Sequence, residues 1–426
     1  MFLMVLSRFK LSFALSFITV FLLFTGCQAL LKTGFEEGSS DQKKSAVASN
    51  GEILLNSISV TSSLPFDIPV ISMAKSNALN LMFDEFSDQP HTFSIRFSHR
   101  NSDWSRSQLI TTQFLSGPNE LTINNRTLNT SGDTTFYTHA YNFPNRDVRF
   151  LKSGNYLAEI LNFETGKQVL SFKFYVTEQS GDLTTEIRER SLTGYATRRQ
   201  HRLLIDYNPD FQILFPDSEL KLITKQNSIN GPQKRDFNIE LTDPEIIKWF
   251  QDDDALFLAN NQVRTLNLRS FNSDDVFERF EDAEAIPFID LQPDEQDFTD
   301  VNTAFTTFHD INFRPGAEYA NVRFNFRSSD QFQPQKPVYL MFYSTVDGPK
   351  FIPMSVDKDG NYSTVTTLRQ GFYSYKYVTE TNPDRPQTAL DIPFAQTRNV
   401  YTVLLYYRNP HEYFDRLLQA KVVVSK

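Results

Sequence analysis

Residues 92–98 read TFSIRFS, and Phe93, Ile95 and Phe97 alternate there with polar neighbours. The same period of two returns at Leu170, Phe172, Phe174 and Val176. Because successive side chains of a β-strand point to opposite faces, strict alternation is typical of a strand with one face on a core. These stretches therefore predict a sheet that is half buried.

Further strand patterns lie in the C-terminal third of the chain. Alternation recurs over 322–326 and 373–377, whereas residues 400–407, VYTVLLYY, are almost continuously apolar and predict a central strand covered on both faces. We expect a mainly β protein of tandem immunoglobulin-like or early-set β-sandwich domains. Turn signals separate the strands at Ser116–Asn119, Lys152–Asn155, Glu164–Lys167 and Asp357–Gly360.

Helix signals are few and lie in the middle of the chain. Thr242–Glu245 has the spacing of a capping box with a first-turn proline, so a short amphipathic helix or a turn is predicted over the following residues to Phe250. Ser273–Asp275 could start a second helix that runs through Phe277 and Phe280. The acidic residues 283–303 are predicted to form a loop or connector.

The N-terminus has the order of segments found in exported bacterial lipoproteins. Arg8 and Lys10 precede an uncharged apolar run over 11–25, and Phe24–Cys27 reads as a lipobox. We predict that Cys27, the only cysteine, is lipidated and anchors the mature chain, with Gln28 favouring the outer membrane. The alternative is an uncleaved anchor helix, although the run is shorter than the roughly 20 residues of a membrane span.

Length and charge bound the remaining possibilities. A chain of 426 residues exceeds what one core accommodates, so several domains are expected. The net charge is −9, and loss of Arg8 and Lys10 with the signal peptide makes it −11, which argues against nucleic acid or an anionic lipid surface as a partner. We predict a signal peptide over 1–26, a flexible tether over 27–51, a first sandwich over 52–179, a middle β-rich domain and connector over 180–315, and a last sandwich over 316–426.

The sequence carries no motif of catalysis or metal binding that we recognise. No two of the six histidines are spaced i, i+4, and no nucleophile-elbow, P-loop or dinucleotide-binding motif occurs, so we predict no catalytic residue, metal or cofactor. Asp252–Asp254 reads either as a solvated helix end or as a calcium ligand set, and Asp357–Gly360 as a hairpin turn. A hydrolase site remains an alternative, because its two carboxylates can be distant in sequence and close together in the folded protein.

Three stretches together resemble the plug protein family of the type IX secretion system, in order and spacing, over roughly residues 51–426. The resemblance rests on His99–Trp104 with Leu109; on Tyr137–Asn145 running into Ser153–Leu157; and on Leu368–Tyr377 followed by Leu404–Pro410 and Tyr413–Leu417.

This resemblance implies a non-enzymatic lipoprotein that docks on the periplasmic side of the outer-membrane secretion barrel and keeps its pore closed. It implies no small-molecule substrate, and the sequence does not indicate which residues contact the partner. We expect the three stretches to be determinants of the fold. The alternative is a glycan-binding lipoprotein, because residues 336–378 also look like a starch-binding sandwich.

Overall fold

The structure is a computed structural model. It describes residues 53–62, 68–131, 134–191, 199–227, 233–235, 237–241, 245–253, 255–259, 264–271, 277–281, 284–287, 290–291, 310–328, 337–342, 346, 349–379, 390 and 399–425. These residues belong to one compact unit that spans Val47–Lys426. Cys27 and the predicted signal peptide and tether lie outside the described residues.

A first sandwich follows from the alternating patterns of the N-terminal part. One sheet has the strand order β1-β3-β8-β7, and the facing sheet has the order β2-β11-β10-β4-β6. Its elements are β1 (Leu54–Ser62), β2 (Val70–Ser72), β3 (Leu79–Phe86), β4 (Phe93–Arg100), α1 (Thr111–Phe114), β5 (Leu115–Ser116), β6 (Glu120–Ile123), β7 (Asn125–Ser131), β8 (Thr134–Phe143), β9 (Arg149–Phe150), β10 (Gly154–Asn162) and β11 (Gln168–Thr177).

The core of the first sandwich is aromatic. Phe93, Ile95 and Phe97 of β4 are at most 1% exposed, and they pack in one cluster with Phe143 and Phe174. Burying such a side chain fully stabilises the fold by about 1.5–3 kcal/mol. The strands predicted over 92–98 and 170–176 are confirmed.

A second sandwich begins directly after the first. One sheet has the order β12-β13-β17-β16, and β18 also pairs with β13. Strand β14 belongs to the facing sheet, where it pairs with β15. The elements are β12 (Asp182–Ser191), β13 (Arg199–Asn208), α2 (Pro216–Glu219), β14 (Leu220–Gln226), β15 (Gln233–Lys234), β16 (Asn238–Glu240), β17 (Ile247–Phe250) and β18 (Phe257–Leu258).

A third sandwich is inserted into the second. Its sheets have the orders β19-β29-β25-β26, with β23 also on β29, and β20-β21-β24-β28-β27, with β22 also on β24. The strands are β19 (Arg264–Asn267), β20 (Phe277–Glu281), β21 (Glu284–Pro287), β22 (Asp290–Leu291), β23 (Asp310–Ile311), β24 (Tyr319–Arg327), β25 (Tyr339–Phe342), β26 (Lys350–Pro353), β27 (Ser355–Val356), β28 (Asn361–Arg369) and β29 (Gly371–Val378).

The chain then returns to the second sandwich and completes it. Strands β30 (Val400–Tyr407) and β31 (Arg416–Val424) extend the second sheet in the order β15-β14-β30-β31. Every residue of β30 is buried, which confirms the predicted central strand. The domain limits of 180–315 and 316–426 remain predictions. The sheets cross residue 315, because β21 pairs with β24, β23 with β29, and β14 with β30.

The mainly β fold class is confirmed, whereas the helices predicted from capping signals are wrong where the structure describes them. Ile247 and Trp249 are buried, and Lys248 and Phe250 between and beyond them are less so, which is the period of a strand. Residues 277–281 and two segments of the expected connector, 284–287 and 290–291, are also strands. Cross-strand pairing has overridden the local helix signal. The short middle-region helix is instead α2.

The predictions for the two acidic stretches, Asp357–Gly360 and Asp252–Asp254, have different outcomes. The hairpin turn at Asp357–Gly360 is confirmed, because Gly360 has φ +80° between the antiparallel β27 and β28. The helix end expected at Asp252–Asp254 is wrong for the two described residues, which follow a strand. There the exposed Asp253 carboxylate pairs with Arg190 and Arg202.

Candidate interaction surfaces

The first and second sandwiches meet at a charged contact that we call the Asp415 junction. The Asp415 carboxylate is buried, and its Oδ2 accepts hydrogen bonds from the Ser102 backbone N at 2.9 Å and the Ser102 hydroxyl at 2.7 Å. Arg408 Nε donates to the other oxygen at 2.6 Å. Burial raises the pKa of Asp415, but the bonds from Ser102 and the charges of Lys221 and Arg408 outweigh it and hold the pKa below its ordinary value.

Buried amides and a tyrosine continue this junction. Asn155 Nδ2 donates to the Asn101 carbonyl at 2.9 Å, and Tyr406 OH donates to Asn155 Oδ1 at 2.7 Å. Arg408 Nη2 reaches Asn101 Oδ1 at 3.1 Å. Because buried polar groups are costly unless paired, this network specifies one orientation of the two sandwiches.

His99 lies at the centre of the same contact. Its Nε2 donates to the Ser153 carbonyl at 2.9 Å, and its ring packs edge-on against Tyr156 and Phe414. Burial lowers the pKa of His99 to about 4, so the ring is neutral at pH 7. Gly154 has φ +140°, and a Cβ there would lie 2.5 Å from His99 Nε2. Only glycine fits at this position.

An apolar cluster backs the polar contacts. Trp104 packs edge-on against Tyr175 with 5.5 Å between the ring centroids, and Lys173 Nζ lies 4.7 Å from the indole centroid. Residues of both sandwiches share the cluster, among them Val70 from the first and Leu404 from the second. The cost of separating the sandwiches therefore includes exposure of apolar surface.

A partly exposed ion pair closes the rim of the Asp415 junction. Arg416 Nε and Nη2 donate to the two oxygens of Glu178 at 2.9 and 2.6 Å, a bidentate geometry. Ser153 Oγ also donates to Glu178 Oε1 at 2.6 Å. Beside it lies a groove of about 390 Å³ lined by Met73, Leu151 and others.

The first and third sandwiches meet at a second contact, the Arg369 junction. Arg369 of β28 forms an ion pair with Asp84 of β3, and both side chains are 0% exposed. Thr138 Oγ1 donates to Asp84 Oδ1 at 2.6 Å, and Tyr319 OH donates to Asp84 Oδ2. Burial raises the pKa of Asp84 and outweighs the lowering effect of the Arg369 charge and these hydrogen bonds.

Aromatic rings surround the buried guanidinium of this junction. The Arg369 Cζ atom lies 5.1 Å from the Phe136 centroid, 5.0 Å from Phe313 and 5.9 Å from Tyr319. Arginine tolerates such a site because its planar cation is weakly hydrated and stacks on rings. A cleft of about 780 Å³ opens beside the junction, lined by Ser59, Thr61, Met82, Arg269 and Ile311–Pro315.

The neighbouring carboxylate of β3 points into the first sandwich. Glu85 is buried, and its Oε2 lies 2.9 Å from His139 Nε2, while His91 contacts Oε1 through Nδ1. Burial raises the pKa of Glu85, but the bonds from His139 and His91 outweigh it and lower the pKa. These two adjacent acidic residues therefore point to opposite faces of β3. Asp84 contributes to the Arg369 junction, and Glu85 contributes to the core of the first sandwich.

The polar groups described above join parts of the fold. Within the described ranges, no three His, Cys, Asp or Glu side chains come together as a metal-ligand set. His201 is buried against Tyr401, with Nδ1 2.7 Å from the tyrosine OH, whereas His309 lies outside those ranges. The Asp415 and Arg369 contacts hold neighbouring sandwiches together, and the Glu85–His139 and His201–Tyr401 contacts lie within one sandwich.

The structure brings the three resembling stretches to the two junctions. His99–Trp104, Ser153–Leu157 and Tyr413–Leu417 meet at the Asp415 junction, and Leu368–Tyr377 contributes Arg369 to the other. The expected structural role of these stretches matches this placement. Sequence reasoning missed Asp84, Glu85 and Tyr319, although two adjacent acidic residues in the mostly apolar LNLMFDEF of β3 were a signal for the first two.

Residues 55–178 match the family model for the first domain of type 9 secretion system plug proteins. The chain carries a plug domain. Its bounds coincide with β1 to β11, so the plug domain is the first sandwich, and the resemblance to the plug family is confirmed over these residues. The plug domain indicates a role related to type IX secretion.

One solved structure supports the fold beyond the plug domain. A crystal structure of a hypothetical protein from Parabacteroides merdae is 21% identical, covers 87% of this chain and 97% of its own, and superposes with a TM-score of 0.76. At this identity the likeness shows the fold alone. The C-terminal domain of the Streptococcus pyogenes antigen I/II-family protein AspA, 8% identical over 86% of this chain and 99% of that one, has a TM-score of 0.14 and carries no argument.

No curated protein matches the chain. No helix within the described part of the chain has the length and apolar character that a membrane span requires.

Proposed function

We propose that this protein is a non-enzymatic plug of the type IX secretion translocon. It docks on the periplasmic side of the outer-membrane barrel and keeps the pore closed. The observation that carries the proposal is the plug domain over residues 55–178, which forms a complete sandwich. The Asp415 and Arg369 junctions support it, because a stopper must resist deformation and both junctions bury paired charges between sandwiches.

The proposed anchor is a lipid on Cys27, which places the protein at the periplasmic face of the outer membrane. Confinement near the barrel raises the effective concentration, so a plug of modest affinity occupies its site and still yields when a substrate arrives. Sealing requires a broad complementary surface and no catalytic group.

The glycan-binding alternative finds less support from the two tryptophans of the chain. Trp249 is 5% exposed, and the half-buried Trp104 ring packs edge-on against Tyr175 with Lys173 Nζ 4.7 Å from its centroid. Sugar rings stack on open aromatic faces, and other side chains already pack against both indoles. Within the described residues, no specific contact favours this second function.

Deletion of the protein, with purification of the barrel in native detergent, tests the proposal. An unplugged pore admits large antibiotics, so the deletion strain becomes sensitive to them, and the wild-type protein co-purifies with the barrel through an interface on the order of 1,600 Å² or more. Unchanged permeability together with absence from the purified barrel contradicts the plug function. A growth defect confined to particular glycans supports the alternative.

A further inference from the structure

Among the residues that the structure describes, no strand pairs with the outer edge of β7. β7 is the last strand in the order β1-β3-β8-β7, and its seven residues pair with β8 without a bulge. At about 3.3 Å per residue the edge is roughly 23 Å long. Its residues are exposed except Asn129, which is buried, and Ser131, which is partly buried.

The register indicates which backbone groups point outward. Ser131 and Thr134 close the pairing with two residues between them, and a two-residue connection is closed by a hydrogen-bonded pair. Alternate residues of an antiparallel strand then bond inward, so Arg126, Leu128 and Thr130 turn their N–H and C=O groups away from β8.

Other long edge strands of the described sheets are protected, as edges of soluble proteins usually are. β1 is interrupted by a bulge between Asn56 and Ser59. The first part of β31 is covered by the end of the plug domain, where Glu178 N and Ser180 N donate to the carbonyls of Leu417 and Leu418. β12 is charged along its length, with Asp182, Glu186, Arg188, Glu189 and Arg190.

β7 has none of these protections over its described residues. It contains no proline, lysine or acidic residue, and Arg126 is its one charge. Leu128 at its centre is 57% exposed. Arg126 and Leu128 lie two apart and share a face, so the strand presents a cation and an apolar side chain beside the open backbone edge.

We propose that the outer edge of β7 is the docking strand for an extended segment of the barrel, which pairs with it by β-augmentation. The inference rests on the proposed function and deepens it. The segment carries an apolar residue against Leu128 and a carboxylate near Arg126, while main-chain bonds supply the affinity. A second copy of this chain is the poorer occupant, because one seven-residue strand is too small for the roughly 1,200–2,000 Å² of a stable interface.

Hydrogen exchange of the purified complex tests the proposal with matched variants. Leu128→Lys adds an edge charge, and Thr130→Pro removes an outward N–H, a change that edge strands tolerate. Phe163→Lys is the control, because Phe163 is also 57% exposed but lies outside the edge. Circular dichroism and the urea midpoint of each variant show that it is folded.

We expect the outward amides of Arg126, Leu128 and Thr130 to gain protection in the complex. Leu128→Lys and Thr130→Pro each weaken barrel binding roughly tenfold or more, since strand addition depends on main-chain pairing, and Phe163→Lys does not. A complex that forms equally well with both edge variants and leaves these amides unprotected overturns the docking strand but not the plug function. No complex with the wild-type protein overturns both. Concentration-dependent protection without barrel, with a dimer in light scattering, overturns the docking strand in favour of a second copy.

Discussion

Asp415 accepts two hydrogen bonds from Ser102, a residue 313 positions earlier in the chain, and both groups are buried. This contact ties the plug domain to the segment between β30 and β31. The second sandwich is thus fastened to the plug domain by the segment between β30 and β31. Mutations in this segment should therefore affect the plug domain.

Asp415→Asn should destabilise the folded protein by about 1–3 kcal/mol, because bonds to a charged acceptor become bonds to a neutral amide and one amide N–H faces donors. The urea dependence of tryptophan fluorescence measures this change. Asp357→Asn is the control, since Asp357 is exposed and lies in a hairpin turn. Equal midpoints for both variants would show that the Asp415 junction contributes nothing measurable.

Gly154→Ala should be more costly than Gly166→Ala. Both glycines have positive φ, but a Cβ at residue 154 meets His99 Nε2 at 2.5 Å and the Asp415 carbonyl at 3.0 Å, whereas nothing lies within 4 Å at residue 166. Gly166→Ala costs the backbone strain of about 1–2 kcal/mol, and Gly154→Ala costs that and a clash. Thermal unfolding of the two variants compares them. An equal loss would contradict the close approach at residue 154.

Stability should fall as the pH drops below about 6.5, because His99 is buried as the neutral ring. Its pKa is about 4 in the folded protein and about 6.5 when unfolded, so the unfolded chain takes up the proton first. The loss begins at the unfolded value, reaches about 2 kcal/mol by pH 5, and is complete below pH 4. His201, whose pKa burial also lowers to about 4, adds to it.

The variant His99→Gln isolates this contribution. Glutamine keeps an N–H donor for the Ser153 carbonyl but does not titrate, so its urea midpoint should change less between pH 7 and pH 5 than that of the wild type. The same pH dependence in both proteins would assign the effect to other groups.

Removing one partner of the ion pair in the Arg369 junction should strongly destabilise the folded protein. Arg369→Met leaves the Asp84 carboxylate buried without its cation, and such changes cost about 3–5 kcal/mol. The double variant Asp84→Asn with Arg369→Met should recover part of this loss, because no uncompensated charge remains. Urea unfolding of the wild type, Arg369→Met, Asp84→Asn and the double variant gives the coupling free energy between the two residues. A double variant less stable than the single one would contradict the argument.

Cys27→Ala should release the protein from the membrane fraction. The sequence predicts basic, apolar and lipobox segments in the order that lipoprotein export requires, and three acyl chains would hold the protein far more firmly than one. Fractionation and intact mass of the wild type and the variant measure this. A variant that still floats with outer membranes at an unchanged mass would contradict lipidation.

The sequence alone determined the β class, the main strands and the plug resemblance. Alternation is a local property, so Phe93, Ile95 and Phe97 specify a buried face whatever lies opposite. The same holds for the turn at Asp357–Gly360, which depends on a backbone conformation that glycine allows.

Only the tertiary structure decided how the sandwiches are assembled. Pairing of β14 with β30 joins residues 220–226 to 401–407, and neither stretch carries a local pattern that identifies the other as its partner. Ile247–Phe250 became a strand because a partner strand was available, and the capping signal before it could not report that. Whether a polar residue is buried likewise depends on what packs over it, so the roles of Asp84, Arg369 and Asp415 follow from contacts between distant parts of the chain, which no local pattern records.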